Sequence, residues 1–289
     1  MVFKWYGIRP PLAKRPFTAL VVDPDIYYDV QYTPDPIPLW LRLAIANNEG
    51  LTLYFKAAPS QLPSGWSMDE QTLGSLADGG RGTFTVSLSR SKPSIPFPTL
   101  DEDLIIRISA YRDDAYTDLY GYIDIPLTAH GIDSDDPNWT VIKDADFDDG
   151  TTQGFEQHLE IESADRYSTS WGLTDGTYVS PPYSLEAHVE TREYGYFHAW
   201  YGAKCSYDAS AYSKAFVAFC ARRTDHVHEV YVESDGMGYA FTLPNYDKWY
   251  RAVTPIKPVA GTLKIYAWFS LGRVSGGAFY LDDVKIIAV

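Results

Sequence analysis

The chain of 289 residues carries only two cysteines, Cys205 and Cys220. Two are too few for the disulfide framework of a small secreted scaffold, and they do not form the C-x-x-C pair of a structural zinc site. One disulfide between neighbouring strands and two buried thiols both stay open. Basic residues are scarce too: 24 Lys and Arg stand against 38 Asp and Glu, a formal net charge of −14. The chain as a whole therefore repels nucleic acid and anionic membranes, and neither is expected as a partner. No apolar run reaches the ~18 residues that suggest a membrane span. The start, Met-Val-Phe-Lys-Trp-Tyr, lacks the apolar centre of a signal peptide. Long Ala/Leu/Glu/Lys stretches are missing, so no helix is expected.

Catalytic signatures are missing as well. The sequence has no G-x-S-x-G elbow, H-E-x-x-H, P-loop, Rossmann glycine pattern or cysteine with a matched histidine. Paired carboxylates occur at Asp101 with Asp103 and Asp113 with Asp114. Glycoside hydrolysis needs two of them facing each other across a cleft, which spacing alone does not establish. The expectation is that the chain is not an enzyme.

What the sequence does have is aromatic residues, 15% of the total, with 21 glycines and 19 prolines. That composition favours strands and turns, and the length matches two domains of roughly 150 residues. Residues 1–35 read as a basic, proline-rich arm and lead-in: Lys4, Arg9, Lys14 and Arg15 all precede the first acidic residue, Asp23. From Pro38 onward Leu39, Leu41, Leu43 and Ile45 alternate with other residues in the two-residue period of a half-buried strand. Asn47-Asn48-Glu49-Gly50 and Leu62-Pro63-Ser64-Gly65-Trp66 read as turns, and Thr83 to Leu88, Leu104 to Tyr111 and Tyr120 to Ile125 as further strands. This spacing predicts a β-sandwich over 36–129. His130 to Asn138, rich in turn formers and without apolar period, predicts a linker at 130–138. A second all-β domain is expected over 139–289.

In order, the features Asn47 to Gly50, Leu62 to Trp66, Gly79 to Leu88 and Ile106 to Ala110 resemble the immunoglobulin-like accessory domains found beside carbohydrate-active modules. In the second half, Asp144 to Gly150, Tyr183 to Val189, Lys214 to Ala221, Asp247 to Tyr250 and the closing Phe279-Tyr280-Leu281-Asp282-Asp283-Val284 resemble the motifs of jelly-roll carbohydrate-binding modules. The resemblance implies an immunoglobulin-like sandwich followed by a jelly roll. It also implies a structural calcium where the first strand meets the last, held by Asp146, Asp148 and Asp282, with Asp148 in place of the family's usual Glu. The alternative for Asp144 to Asp149 is a solvated acidic turn.

Glycan binding in such modules rests on aromatic rings stacked against sugar faces. The candidates are Trp171, Tyr178, Trp200 and Tyr201; Trp171 and Tyr178 lie in loop-like sequence, whereas Trp200, Trp249 and Trp268 lie in strand patterns where core packing is the competing role. His226 and His228, two apart, suggest a metal site with Glu229 or His198, against the plainer reading of an exposed polar face. Two functions follow. The first is a non-enzymatic structural or adhesive protein of an external assembly, a virion coat or cell-surface filament subunit, with copies of itself or other subunits as partners and a glycan as ligand. The second is a glycan-binding accessory module of a secreted carbohydrate-active enzyme.

Overall fold

The structure is a computed structural model. It describes residues 17–288 apart from 23–24, 32–34, 95–98, 162–166, 180, 192–195, 209, 226, 235–236, 244–245, 256, 259–260 and 273–275. The expected basic arm lies outside the described residues, as does His226. Every regular element among the described residues is a strand, and no helix is long and apolar enough to cross a membrane. The chain divides into two compact units after Asp133.

The first unit holds β1 (Thr18–Val21), β2 (Asp25–Asp29), β3 (Ile37–Ala46), β4 (Leu53–Gln61), β5 (Trp66–Ser67), β6 (Gln71–Leu76), β7 (Arg81–Arg90), β8 (Thr99–Tyr111) and β9 (Leu119–Ile132). One sheet has the order β1-β3-β7-β5 and the other β2-β9-β8-β4-β6. All pairings are antiparallel except that of β2 with β9. This is an immunoglobulin-like sandwich, with the leading segment split between both sheets. The sequence reading left β1 and β2 in the lead-in before residue 36, because strands of four and five residues are too short to show a period. It likewise left His130 to Ile132 in the linker, where they complete β9.

Strand β3 shows why these residues form this element. Ile37, Leu39, Leu41, Leu43 and Ile45 are buried and the residues between them are half-buried, as the alternation of a pleated strand requires. Leu53 and Phe55 on β4, Val86 and Leu88 on β7, and Leu104, Ile106 and Ile108 on β8 complete the same core. The turn after β3 is closed by Asn47, whose side-chain amide donates to the carbonyls of Leu51 and Leu76, both at 2.8 Å.

A polar latch crosses between the sheets. Glu102 on β8 accepts two hydrogen bonds from Arg90 on β7, at 2.9 and 3.0 Å, one from Trp66 Nε1 on β5 at 2.9 Å, and one from the Tyr28 hydroxyl on β2 at 3.1 Å. The side chains of Arg90 and Glu102 are only 9% and 12% exposed. Gly65 makes room for the guanidinium: a Cβ there would fall 2.0 Å from Arg90 Nη1, and its φ of +85° suits glycine. Burial opposes ionisation of Glu102, but the hydrogen bonds and charge of Arg90, with Trp66 and Tyr28, hold its carboxyl below the usual value.

The second unit holds β10 (Thr140–Ala145), β11 (Glu156–Ile161), β12 (Tyr167–Thr174), β13 (Ser184–Thr191), β14 (Tyr196–Ser206), β15 (Lys214–Arg223), β16 (Val227–Ser234), β17 (Met237–Thr242), β18 (Tyr250–Val253), β19 (Lys257–Pro258), β20 (Thr262–Gly272) and β21 (Gly276–Ala288). One sheet runs β12-β13-β21-β15-β18, with β10 on β21 and β19 on β15; the other runs β11-β14-β20-β16-β17. From β13 to β21 the chain passes repeatedly from one sheet to the other, the arrangement of a jelly roll. Cys205 and Cys220 are buried, separate thiols, each pushed up to about 11 by burial.

Breaking the latch by Glu102→Ala leaves Arg90 buried without its partner and should destabilise the first unit by about 3 kcal/mol, read by denaturant unfolding. The folded carboxyl is the stronger acid, so its contribution is full above the ordinary value of 4.5 and is lost as pH falls below it. The melting temperature of the wild-type chain should therefore fall more steeply on acidification than that of the variant.

Candidate functional site

The pleat of the β11-β14-β20-β16-β17 sheet separates two sets of side chains. Ala199, Tyr201, Ala203 and Cys205 on β14, Leu263, Ile265, Ala267 and Phe269 on β20, and Val230 and Val232 on β16 are buried. The residues between them occupy the outer face. Register sorts these into cross-strand rows. One row runs Glu160, Trp200, Trp268, Glu229 across β11, β14, β20 and β16. The next runs His158, Gly202, Tyr266, Tyr231, and the one after that Glu156, Lys204, Lys264, Glu233.

The middle row depends on its glycine. His158 and Tyr266 belong to strands on either side of β14, yet their rings meet edge to face with centroids 5.0 Å apart. They do so across Gly202, where a Cβ would lie 2.3 Å from the Ile265 carbonyl oxygen and 2.5 Å from Tyr266 Cα. Tyr266 in turn stacks on Tyr231 at 5.5 Å. The Tyr266 hydroxyl donates to Glu233 and the Tyr231 hydroxyl to Glu229. Burial, then the hydrogen bond and charge of Glu233, push the Tyr266 hydroxyl far up. His158 is pulled down, by burial first and then by Lys264, although Glu160 lies 3.5 Å from its Nε2. Lys204 pairs with Glu156 at 3.6 Å and Lys264 with Glu233 at 3.8 Å. The result is a fixed aromatic surface, two half-buried tryptophans beside a His/Tyr/Tyr row, edged by carboxylates.

Of the expected glycan-binding residues, the structure places only Trp200 on this surface. Tyr201, its neighbour, points the other way: it is fully buried, accepts from Gln157 Nε2 at 2.9 Å and donates to the Ser170 carbonyl at 3.0 Å. It is a core residue. Trp171 lies in β12 rather than in a loop, opposite the inward-facing Ala187, with its ring 6.3 Å from that of Tyr201. Tyr178 is 42% exposed in the connection between β12 and β13. That connection is pinned on both sides of it, by Trp249 Nε1 donating to Thr177 Oγ1 at 3.2 Å and the Val179 N–H donating to Asp282. Trp268, for which core packing was the competing role, stands beside Trp200 on the outer face.

The expected calcium ligands are not brought together. Asp282 is fully buried; its Oδ2 accepts from the Val179 N–H at 2.6 Å and its Oδ1 from the Asp283 N–H at 2.7 Å. Asp146 Oδ1 accepts from Gln153 Nε2 at 2.9 Å and from the Asp148 N–H at 3.2 Å, while Asp148 itself is exposed. Among the described residues no three His, Cys, Asp or Glu side chains are grouped to hold a metal ion. The side chains of His198 and His228 lie outside the described residues.

Sequence reasoning missed His158, Glu160, Gly202, Tyr231, Glu233 and Tyr266, and named Glu229 only as a companion of His226 and His228 in a metal site. A signal existed: His158 with Glu160, Glu229 with Tyr231 and Glu233, and Lys264 with Tyr266 and Trp268 are each spaced by two, as residues sharing one strand face must be.

Two outcomes test this geometry. Gly202→Ala has no room for its Cβ and should lower the melting temperature by several degrees, about 1–3 kcal/mol of overpacking. An NMR titration should find His158 gaining its proton below the ordinary 6.5. Because the unfolded chain then binds that proton more tightly, its contribution to stability is full above 6.5 and declines as pH falls through that value.

No family model and no curated protein matches the chain. Among solved structures, one described as the structural basis for the promiscuous specificity of carbohydrate-binding modules from the β-sandwich superfamily is 10% identical, with TM-score 0.36 over 93% of this chain and 96% of that one. TmCBM61 in complex with β-1,4-galactotriose is 11% identical, with TM-score 0.34 over 50% and 95%. The tandem CBM22 domains of Paenibacillus barcinonensis Xyn10C are 10% identical, with TM-score 0.32 over 96% and 92%. At such scores the likeness carries no argument of its own, and the fold assignment rests on the strand orders above. In its motifs the second unit resembles jelly-roll carbohydrate-binding modules.

Proposed function

We propose that the chain is a non-enzymatic glycan-binding protein acting outside the cell, and that its second unit holds the ligand on the outer face of the β11-β14-β20-β16-β17 sheet. The observation that carries this reading is the row Glu160, Trp200, Trp268, Glu229. Two adjacent indoles offer apolar surface to the C–H faces of sugar rings, and the flanking carboxylates accept hydrogen bonds from ring hydroxyls, the combination that binds and orients a saccharide. Fold alone does not argue this, since the same sandwich serves as a plain structural module. The resemblance of the second unit to carbohydrate-binding modules supports it, and the place of such modules beside secreted enzymes is one setting for it.

A second reading, a subunit of an external assembly such as a virion or surface filament, is favoured by the first unit. Tyr54 and Tyr111 each meet Tyr116 edge-on, at 6.2 and 5.5 Å, and Lys56 Nζ lies 4.7 Å over the Tyr116 ring. Arg107 covers Tyr122 at 4.0 Å. Tyrosine and arginine on one sheet face are what protein interfaces enrich.

On a broad glycan array the full chain should bind at least one oligosaccharide, and Trp200→Ala should weaken that binding by about tenfold or more while the melting temperature stays close to wild type. An array without any ligand would overturn the glycan reading. For the second reading, electron microscopy of source material and light scattering of the purified chain should find ordered particles or filaments; monomers in both would remove it.

A further inference from the structure

In the first unit the outer face of the β2-β9-β8-β4-β6 sheet carries a cluster of tyrosines. Phe55, Ala57, Ile106, Ile108 and Ala110 point into the core, so the residues between them on β4 and β8 face outward. Register pairs Tyr54 with Tyr111, Lys56 with Ser109 and Ser109 with Tyr122 across β4, β8 and β9. Tyr116, in the hairpin between β8 and β9, stands across both Tyr54 and Tyr111, at interplanar angles of 81° and 79°. The hairpin holds it at φ +57°, a conformation that a bulky side chain rarely adopts. Asp113 locks the turn: its carbonyl accepts from the Tyr116 N–H at 3.3 Å and its carboxylate from the Thr117 N–H at 2.8 Å. Strained residues held in place by their surroundings cluster at binding and active sites.

Tyr54, Tyr111, Tyr116 and Tyr122 are all half-buried, and among the described residues their hydroxyls make no hydrogen bond. The cations beside them are already paired: Lys56 with Glu70 at 2.6 Å, Arg107 with Asp124 through two bonds of 2.8 Å, and Arg112 with Asp118 at 3.1 Å. Lys56 and Arg107 cover one face each of Tyr116 and Tyr122, so the ring surface left for a ligand is chiefly that of Tyr54 and Tyr111. From Tyr54 to Asp124 the face spans about 10 Å across the strands and about 13 Å along them, on the order of 130 Å². A standard protein interface covers about 800 Å² on each partner, so a protein would need further surface, whereas a short oligosaccharide would not.

Going beyond the ligand face of the second unit, we propose that this tyrosine face of the first unit is a second saccharide site, and that it takes uncharged rather than acidic oligosaccharides. Tyr54 and Tyr111 offer ring surface to the C–H face of a sugar, with Tyr116 across its end. The tyrosine hydroxyls and Ser109 supply donors and acceptors for the sugar hydroxyls. A uronate gives up its hydration here without gaining an unpaired cation, and meets the hairpin carboxylates Asp113, Asp114 and Asp118.

The test is an array of uncharged and uronate-bearing oligosaccharides, probed with the full chain, with Trp200→Ala, and with Trp200→Ala combined with Tyr116→Gly. Trp200→Ala removes the second-unit site, so the binding that persists reports on the first unit. That binding should be to uncharged oligosaccharides and should fall about tenfold or more when Tyr116→Gly is added. Glycine adopts the left-handed backbone without strain, so the melting temperature of Tyr116→Gly should stay close to wild type. Tyr54→Phe with Tyr111→Phe keeps both rings and should weaken the same binding by about fivefold, the loss of one net hydrogen bond. Loss of all binding in Trp200→Ala alone would overturn the proposal and leave the second-unit site standing. Persisting binding that prefers uronates, or that neither tyrosine variant changes, would overturn it too. A concentration-dependent dimer in light scattering that Tyr116→Gly abolishes would give the face to a second copy, as the subunit reading has it, and overturn the saccharide assignment. A wild-type chain that binds nothing on the array removes both sites together.

Discussion

In β14 the run Ala199-Trp200-Tyr201-Gly202-Ala203 sends Ala199, Tyr201 and Ala203 into the core, against Ile265, Ala267 and Phe269 of β20. Burying that inner set holds this sheet to its partner sheet. A slip of one residue would exchange the faces, exposing the core set and burying charge, so the register is strongly specified. Everything on the outer face depends on this constraint. Trp200 and Trp268 become neighbours because both strands must turn Tyr201 and Phe269 inward. Glu160 and Glu229 fall in the same cross-strand row for the same reason.

Glycine and tyrosine refine what register lays down. Gly202 removes the side chain that would separate His158 from Tyr266, so an edge-to-face contact spans a whole strand. Glu233 and Glu229 accept from Tyr266 and Tyr231, which joins these rings to the carboxylates beside them and limits ring motion. The first unit solves a different problem with a similar device. There Glu102 gathers Arg90, Trp66 and Tyr28 from both sheets, and Gly65 makes space for the guanidinium. In that latch the carboxylate is nearly buried, whereas Glu160 lies at the surface.

The alternation of β3 could be read directly, because a half-buried strand writes its period into ten or so residues, whereas the closing Phe279 to Val284 strand was read by its resemblance to a family motif. The short strands β1 and β2 could not, since four or five residues carry no period and their pairing is set by distant strands. For the acidic run Asp144 to Asp149 a calcium loop was implied only by the family resemblance. The hydrogen bonds of its Asp146, from Gln153, and of Asp282 on the closing strand, from Val179, depend on groups outside either motif. Trp200 was named as a candidate, yet its neighbour Tyr201 had the same standing, because adjacent aromatics in a strand are equivalent until one face is known to be buried.

The sequence by itself determined that this is an all-β chain, that its second half carries jelly-roll motifs, and which residues alternate. Those properties are local: they follow from side-chain chemistry, the two-residue period and turn formers. Which face of each strand meets the core, and therefore which aromatics share a surface and which carboxylates border them, was decided only by tertiary structure. His158, Trp200, Tyr231 and Trp268 come from four strands spread along the second half of the chain, and cross-strand register, a long-range property, is what brings them into one place.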